Sequence, residues 1–210
     1  MAKLYFRFGC MNSSKTAQAL MVKYNYEQQG KTVALLKPTV DTRTEADAVR
    51  SRVGLASRAI PLPRDGDIRE LCLGERFLRY SGGKPWPDVV IVDEAQFLTG
   101  AQVNQLKLLA LDDSIPVLCY GLKTDFRTCL FEGSKRLLEI ADSIQEIKTI
   151  CKCGRKAEVN ARFKNGEIVW EGEQIQIGGN ESYQPMCYSC WEKEILKSGK
   201  KKRDCVRGKI

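Results

Sequence analysis

A run of small and polar residues near the N-terminus has the composition of a phosphate-binding loop. Residues 9–16 end in the pair Lys15-Thr16, follow a short apolar stretch and precede a helical pattern. Strand, loop with Lys-Thr and helix is the layout of a P-loop, whose backbone N–H groups surround phosphate oxygens. The lysine of such a loop reaches the β- and γ-phosphates, and the threonine hydroxyl can bind Mg²⁺. The expected ATP-binding residues are Gly9, Cys10, Met11, Asn12, Ser13, Ser14, Lys15 and Thr16.

Ser14 departs from the usual GxxxxGK[ST] pattern, in which a glycine precedes the lysine. A Cβ at this position restricts the backbone. A second interpretation is therefore a serine-rich turn before an ordinary helix, with Ser13 or Ser14 as the N-cap.

A β-branched stretch that ends in two carboxylates is the second chemical signal. Residues 88–98 read DVVIVDEAQFL, which indicates a strand buried on both faces, as in a parallel sheet. Asp93 fits the Walker B position and would bind Mg²⁺ together with Thr16. Glu94 follows it and is free to accept a proton from an attacking hydroxyl or water. The alternative is a strand that ends on two solvated acids.

Two polar loops follow predicted strands, at residues 37–43 and 122–131. Ligands of open α/β sheets bind outside the carboxyl ends of the strands. Asp41 is therefore a candidate Mg²⁺-associated carboxylate and Arg43 a candidate phosphate contact, although a surface ion pair is equally consistent. In the second loop, exposed Phe126 and Phe131 would indicate a flat apolar ligand, whereas buried ones would fill the core.

Four of the nine cysteines form two close pairs. In a reducing compartment such pairs indicate metal ligands rather than disulfides. Four thiolates suit a tetrahedral structural zinc, although CxC is tighter than the commoner CxxC. The turn Asn165-Gly166 predicts a hairpin in the chain between the pairs, and a long loop closed by a metal is expected to be functional. The predicted zinc ligands are Cys151, Cys153, Cys187 and Cys190.

Strands and helices alternate along the first 150 residues, which predicts a three-layer α/β domain with a mostly parallel sheet. The first helix is expected to bury Ala17, Leu20, Met21 and Tyr24 and to stop at Gly30. A mobile loop is expected at residues 50–57. Further helices are expected at residues 67–80, 99–110 and 134–140, and strands at residues 4–6, 32–36, 59–62, 88–98, 115–121 and 144–150.

Charge and hydropathy limit the remaining classes. The net charge is +8, and residues 197–210 carry seven Lys or Arg and one Asp, so the rest of the chain is nearly neutral. A P-loop ATPase with a zinc ribbon that acts on nucleic acid should show a basic, aromatic-rich face outside that tail. A non-catalytic binding module would not need Lys15, Thr16, Asp93 and Glu94 together. No apolar run spans a membrane and no signal peptide is evident, which predicts a cytoplasmic protein without membrane or nucleic-acid partners.

The combination resembles the thymidine kinase family that joins a P-loop domain to a zinc-held lasso loop. The matching stretches are GCMNSSKT, VDEAQF, GLKTDF, CKCG, IGGNESY and CYSC, which follow one another across nearly the whole chain. The resemblance implies a P-loop NTPase-like α/β domain at residues 1–150, a small zinc-binding lasso domain at residues 151–192 and a disordered basic tail at residues 193–210. The chain departs from the family pattern at Ser14, which replaces a glycine, and at Cys151-Lys152-Cys153, where CxC replaces CxxC.

The resemblance also implies a reaction and its residues. The γ-phosphoryl of ATP would pass to the 5′-hydroxyl of thymidine to give dTMP for nucleotide salvage and DNA synthesis. Glu94 would be the general base, and Lys15 with Arg43 or Arg127 would meet the charge of the transferred group. Similar proteins are homotetramers that thymidine triphosphate inhibits. The implied nucleotide site adds Asp41, Arg43, Asp93, Glu94, Ala95 and Gln96, and the implied thymidine site is Met11, Leu122, Phe126, Phe131, Gln174, Ile175, Gln176, Ile177, Gly178 and Tyr183.

Overall fold

The computed structural model describes residues 1–41, 45, 47–174 and 181–199. Arg43, residues 175–178 and most of the predicted tail lie outside these ranges. In chain order the elements are β1 (Leu4–Phe8), α1 (Lys15–Gln28), β2 (Val33–Pro38), β3 (Ala48–Arg50), β4 (Ala56–Arg58), β5 (Ile60–Leu62), α2 (Ile68–Leu73), α3 (Glu75–Tyr80), β6 (Val89–Val92), a 3₁₀ helix (Ala95–Phe97), α4 (Gly100–Leu111), β7 (Val117–Gly121), α5 (Glu132–Ile140), β8 (Ser143–Glu146), β9 (Val159–Lys164), β10 (Glu167–Val169), β11 (Glu181–Met186) and α6 (Tyr188–Lys197).

A six-stranded parallel sheet with the order β5-β2-β6-β7-β1-β8 forms the centre of the fold. Every residue of β2, β6 and β7 is buried, because helices cover both faces of a parallel sheet. The core has two parts, one on each face of the sheet. Leu4, Leu36 and Val92 belong to one part, and Leu20 and Ile91 belong to the other. The predicted α/β class with a mostly parallel sheet is confirmed.

The inward face of α1 differs from the prediction. Met21 and Tyr24 are 57% and 60% exposed, while Ala19 and Lys23 join Leu20 on the buried side. Small side chains let the helix approach the sheet closely, and the aliphatic stem of a lysine can be buried while its charge is paired. The prediction for Met21 and Tyr24 is wrong because apolar residues lie on two sides of this helix.

Two other segments are more structured or more divided than predicted. Residues 50–57 were expected to form a loop, but β3 and β4 pair as an antiparallel hairpin there. The helix expected at residues 67–80 is two helices, because Gly74 is extended and ends α2. A Cβ on Gly74 would lie 2.5 Å from the carbonyl oxygen of Glu70. Thr99 and Gln102 form a capping box at the start of α4.

The cysteine-rich part forms a small antiparallel sheet, β10-β9-β11, against α6. Asn165 and Gly166 both have positive φ angles, of 51° and 84°, as the predicted two-residue hairpin requires. The helix α6 continues through the predicted boundary at residues 192–193 to Lys197, because Ile195 packs with Trp191 under the small sheet. Among the described residues, each helix is too short or too polar to cross a bilayer.

Candidate active site

The P-loop connects β1 to α1, and two of its residues other than glycine have left-handed backbones. A Cβ on Gly9 would lie 2.3 Å from the carbonyl oxygen of Ile147, so the loop is packed tightly beside β8. Asn12 and Ser14 both have left-handed backbones, with φ of 64° and 61°, which explains why glycine is usual at the second position. Ser14 makes no side-chain hydrogen bond to the first turn of α1. The capping interpretation is therefore not supported for Ser14.

Lys15 places its ammonium group across this loop. Its Nζ donates to the carbonyl oxygens of Gly9 at 3.0 Å and Cys10 at 2.8 Å. The N-terminus of α1 adds positive partial charge at the same place. The loop therefore has the electrostatics of an anion site, with the cation that the sequence predicted.

Thr16 and Asp93 join the P-loop to the end of β6. The Thr16 hydroxyl donates to Oδ2 of Asp93 at 3.0 Å. Burial raises the pKa of Asp93 to about 7, and the charge of Glu94 adds to the rise, while the Thr16 hydrogen bond opposes it. A hydroxyl beside a buried carboxylate is an oxygen donor set that fits Mg²⁺. The two predicted magnesium ligands are thus brought together.

Glu94 directly follows Asp93 and faces the same cavity as the P-loop. Its backbone is left-handed, with φ of 53°, and its Oε2 accepts a hydrogen bond of 2.5 Å from Nε2 of Gln96. The backbone N–H of Leu122 donates to Oε1 of the same Gln96 at 3.0 Å. The cavity has a volume of about 330 Å³ and is lined by Met11, Asn12, Ser13, Ser14, Lys15, Thr16, Ala17, Ser51, Arg52, Val53, Glu94 and Leu122. Glu94, Leu122 and six of the eight predicted P-loop residues line one cavity, which is also bordered by the hairpin β3–β4.

Phe126 and Phe131 are buried, with 1% and 5% of their surfaces exposed. Of the two alternatives that the sequence left open, the core-filling one describes their packing. The ring of Phe131 meets Phe97 edge-on at 5.9 Å, and the guanidinium of Arg162 lies 4.8 Å from the ring centre of Phe126. A buried ring can still form the wall of a pocket, so contact with a base stays a prediction.

Arg127 is held by the loop that carries it. Its Nε and Nη2 donate to Oδ2 of the buried Asp125 at 2.9 and 2.7 Å, and its Nη1 donates to the carbonyl oxygen of Gly172 at 3.1 Å. These contacts direct the guanidinium toward Gly172, within the lasso domain. A role for Arg127 at the transferred phosphoryl is therefore not supported.

The remaining predicted site residues occupy different settings. Gln174 donates from Nε2 to Oδ2 of Asp125 at 3.1 Å, so its side chain lies against the loop after β7. Tyr183 is in β11, half-buried and paired with Arg162. Asp41 is buried, with Oδ2 3.9 Å from Nζ of the buried Lys37, so this carboxylate does not lie on the surface. Arg43, Ile175, Gln176, Ile177 and Gly178 lie outside the described residues.

The four paired cysteines form one cluster. Their Sγ atoms all lie within 4.8 Å of one another, so the cluster can hold a metal ion. The short CxC spacing is accommodated by a tight turn, in which the N–H of Gly154 donates to the carbonyl oxygen of Cys151 at 2.9 Å. Nε of Arg155 donates to Sγ of Cys153 at 3.4 Å; this bond, together with the backbone N–H of Arg155, lowers the pKa of Cys153 to about 6. A thiol that ionises readily is suited to metal binding.

Three residues at the site were not identified from the sequence. Asn160 is buried in β9; its Oδ1 accepts from the N–H of Met11 at 2.7 Å, and its Nδ2 donates to the carbonyl oxygen of Thr124 at 3.1 Å. Arg52 on the β3–β4 hairpin donates to Oδ1 of Asn12. Phe97 packs against Phe131. The basic run at residues 50–52 was a signal for Arg52, whereas a single asparagine or phenylalanine carries none.

Comparison with known proteins gives one consistent result. The family model described as thymidine kinase matches residues 2–191, a range that includes the P-loop and all four clustered cysteines. The chain is 48% identical over 192 residues to the thymidine kinase of Streptococcus thermophilus strain CNRZ 1066, which covers 91% of this chain and 94% of that protein. It is 46% identical over 188 residues to the thymidine kinases of Streptococcus agalactiae serotype Ia and Streptococcus pyogenes serotype M3, with 89% of this chain and 95% of each relative covered.

Proposed function

The chain belongs to the thymidine kinase family, and from this membership we propose that it transfers the γ-phosphoryl of ATP to the 5′-hydroxyl of thymidine, giving dTMP. The contact between Thr16 and Asp93 carries the proposal, because it brings the P-loop and the strand end with Glu94 to one cavity. Positioning and charge stabilisation are what phosphoryl transfer requires of a protein.

The phosphate donor is bound by the P-loop. Backbone N–H groups of residues 9–16 surround its β- and γ-phosphates, and Lys15 exchanges its contacts with the carbonyls of Gly9 and Cys10 for phosphate oxygens. Asp41, Arg43 and Ala95 complete the nucleotide site, whereas the side chain of Gln96, which the resemblance also assigns to this site, contacts Glu94 and Leu122. Lys15 then stabilises the charge that spreads over the transferred group.

Thr16 and Asp93 are the residues that would hold Mg²⁺, since their oxygens lie 3.0 Å apart. When bound, the ion neutralises charge on the phosphate oxygens. Because the pKa of Asp93 is raised, part of the protein carries a protonated Asp93 at neutral pH. A bound cation favours the ionised carboxylate.

Glu94 accepts the proton of the thymidine 5′-hydroxyl as that oxygen forms a bond to the γ-phosphorus. The bond from the γ-phosphorus to the β–γ bridging oxygen breaks, and ADP leaves with the electron pair. Glu94 suits the role because it follows the end of β6 and lines the cavity beside Lys15. A positioned general base typically contributes about 10²- to 10⁴-fold.

Thymidine is placed by residues of three segments. We propose that Met11, Leu122, Phe126 and Phe131 line the thymine pocket, and that Tyr183 closes over the nucleoside. The segment 174–178 of the lasso contributes its backbone. Support comes from the position of Leu122 on the cavity and from the side chain of Gln174, which is directed to Asp125.

The metal of the cysteine cluster is proposed to be a structural zinc, bound by Cys151, Cys153, Cys187 and Cys190. Four sulfur donors within 4.8 Å of one another fit a tetrahedral zinc site. The ion closes the chain between the two pairs and so restricts the lasso in the unfolded protein. The proposed organisation is a nucleotide-binding domain at 1–150, a lasso domain at 151–192 whose last helix continues to Lys197, and a basic tail within 193–210.

The assembly and setting of the enzyme are also proposals. A homotetramer in the cytoplasm, inhibited by thymidine triphosphate, agrees with the family resemblance. The cysteines of the described residues form no disulfides, which agrees with a reducing compartment. The expected role is nucleotide salvage for DNA synthesis, without a nucleic-acid partner.

The test is transfer of labelled γ-phosphate from ATP to each common deoxynucleoside. We expect thymidine to be phosphorylated and deoxycytidine, deoxyadenosine and deoxyguanosine to be poor acceptors. ATP hydrolysis stimulated by single-stranded DNA, without transfer to thymidine, would instead indicate the nucleic-acid ATPase.

A further inference from the structure

The side chain of Gln96 bridges two walls of the cavity. It is 2% exposed; its Nε2 donates to Oε2 of Glu94 at 2.5 Å, and its Oε1 accepts from the N–H of Leu122 at 3.0 Å. A backbone N–H only donates, so the Leu122 contact fixes the oxygen end of the amide and leaves the NH₂ end to the carboxylate. Both ends of the side chain are thereby committed.

The backbone around Glu94 gives its side chain an unusual direction. Glu94 has φ of 53° and precedes the 3₁₀ helix Ala95–Phe97. Residues with a Cβ rarely adopt this left-handed conformation, and it takes the side chain out of the alternation of β6. An unbranched carboxylate side chain has several accessible rotamers, and the amide of Gln96 selects one.

Two glycines leave room for this turn. A Cβ on Gly121 would lie 2.8 Å from Oε1 of Gln96 and 3.0 Å from its backbone nitrogen. A Cβ on Gly133 would lie 2.6 Å from the carbonyl oxygen of Ala95. The end of β7 and the start of α5 therefore pack directly on the 3₁₀ helix, and the position of the Gln96 amide is fixed by packing as well as by hydrogen bonds.

We propose that Gln96 is a positioning residue for phosphoryl transfer. It holds the carboxylate of Glu94 toward the reacting hydroxyl and connects this carboxylate to Leu122, the first residue of the loop 122–131. This inference rests on the proposed function and on Glu94 as the base. One amide then sets the distance between the proton acceptor and the pocket that places the acceptor substrate.

Proton transfer requires the two oxygens to be within about 3 Å. Loss of the amide removes a contact that fixes the Glu94 rotamer, and a displacement of about 1 Å in an active site can cost on the order of 100-fold. Binding of ATP to the P-loop does not depend on this contact. The predicted signature is a fall in kcat with an almost unchanged KM for ATP.

The experiment compares Gln96→Met and Gln96→Glu in the full chain, with ATP and thymidine. Methionine has a similar length but no amide, so both contacts are lost. Glutamate keeps an acceptor for the N–H of Leu122 but places a second carboxylate against Glu94, where the two share a proton and Glu94 is a weaker base. We expect kcat to fall about 10- to 100-fold in both variants. The KM for thymidine should rise in Gln96→Met and stay near wild type in Gln96→Glu.

A double-mutant cycle with Glu94→Gln separates positioning from a general structural role. If Gln96 acts through Glu94, Gln96→Met should lower kcat by less than about threefold in the Glu94→Gln background. The same loss in both backgrounds, with Glu94→Gln itself strongly impaired, overturns the positioning role and leaves the proposed function intact. Near-normal turnover of Glu94→Gln overturns the base assignment and the positioning role together.

Gly121→Ala is the second route to the same contact. Its backbone does not require a positive φ, and its added methyl group presses on the amide of Gln96. We expect the kcat of Gly121→Ala to fall in the wild-type background and to change little with Glu94→Gln. Should Gln96→Met fail to fold, Gly121→Ala and Gln96→Glu decide the question, and unchanged kcat in both would refute it.

Discussion

Asn160 on β9 accepts a hydrogen bond from the backbone N–H of Met11 at 2.7 Å, so the small sheet holds the P-loop directly. The same amide donates to the carbonyl oxygen of Thr124. A single buried side chain thus joins the nucleotide loop, the loop after β7 and the cysteine-rich part.

Asn160→Ala removes both bonds and leaves a buried N–H and a buried carbonyl without this partner. We expect the free energy of unfolding to fall by about 1–3 kcal/mol, and the KM values for ATP and thymidine to rise together. Chemical denaturation and steady-state kinetics measure the two effects. Asn25→Ala, on the exposed side of α1, is the matched control. A rise in only one KM would show that Asn160 does not link the two sites.

Glu94→Gln keeps the size of the side chain and removes the proton acceptor. We expect kcat to fall about 10²- to 10⁴-fold while the Kd for ATP changes little. Rapid-quench transfer and equilibrium binding give the two numbers. Glu75→Gln, an exposed helix residue, is the control, and a variant at position 94 with ordinary turnover would remove Glu94 from the mechanism.

Asp93 should destabilise the nucleotide-free protein near neutral pH. Its pKa is raised from 3.8 to about 7, so the folded state retains a proton that the unfolded chain has lost. The contribution of Asp93 to stability is therefore least unfavourable below pH 4 and becomes more unfavourable as the pH rises to about 7. Asp93→Asn should gain on the order of 1–3 kcal/mol of unfolding free energy at pH 7, and almost nothing at pH 4.

Asp88 provides a control of opposite sign. Its pKa is lowered, mainly by the N–H of Thr32 and further by Lys31, so its contribution is present at neutral pH and lost as the pH falls below its ordinary value. Asp88→Asn should be destabilising at pH 7, with a difference that shrinks in acid. Equal effects of the two variants across the pH range would contradict both assignments.

The cysteine cluster should carry about one zinc per chain, as four sulfur donors imply. Cys153→Ser and Cys187→Ser should lose the metal and become sensitive to protease between residues 151 and 190 before the large sheet unfolds. Cys129→Ser, an exposed cysteine outside the cluster, should keep its metal. Elemental analysis that finds a fully active, reduced protein without zinc would refute the site.

Selection of thymine should depend on the lasso backbone rather than on its glutamines. The side chain of Gln174 already donates to Asp125. Gln174→Ala should therefore raise the KM for thymidine only a few-fold, as the loss of one hydrogen bond does. Gln176→Ala should have a similarly small effect. Gly178→Val should abolish thymidine use and spare ATP binding. The measurement is the ratio of kcat/KM for thymidine to kcat/KM for deoxycytidine in each variant. If the glutamine variants lose this discrimination and Gly178→Val keeps it, the side chains and not the backbone select thymine.

The strongest sequence signals predicted the elements that carry the chemistry. The P-loop, the β-branched strand β6 and the cysteine pairs are continuous patterns, and all three have the predicted location in the fold. Contacts of Gln96 and Asn160 could not be predicted, because each joins residues that are far apart in the chain and depends on the final packing. Met21 and Tyr24 were assigned to the wrong face because α1 has apolar residues on two sides, and the β3–β4 hairpin was missed because strands of three residues show no alternation.

The strand β1 pairs with β7 and β8, and not with β2. During synthesis β1 must therefore wait for partners more than 110 positions later, as in Leu4 beside Val117. Contacts of such long sequence separation form late, because the closure of a large loop precedes any gain. Gly9 then packs on Ile147 in the segment just after β8. The P-loop is thus synthesised long before the segments that it packs against, so a nascent chain that ends before β8 lacks a complete nucleotide site.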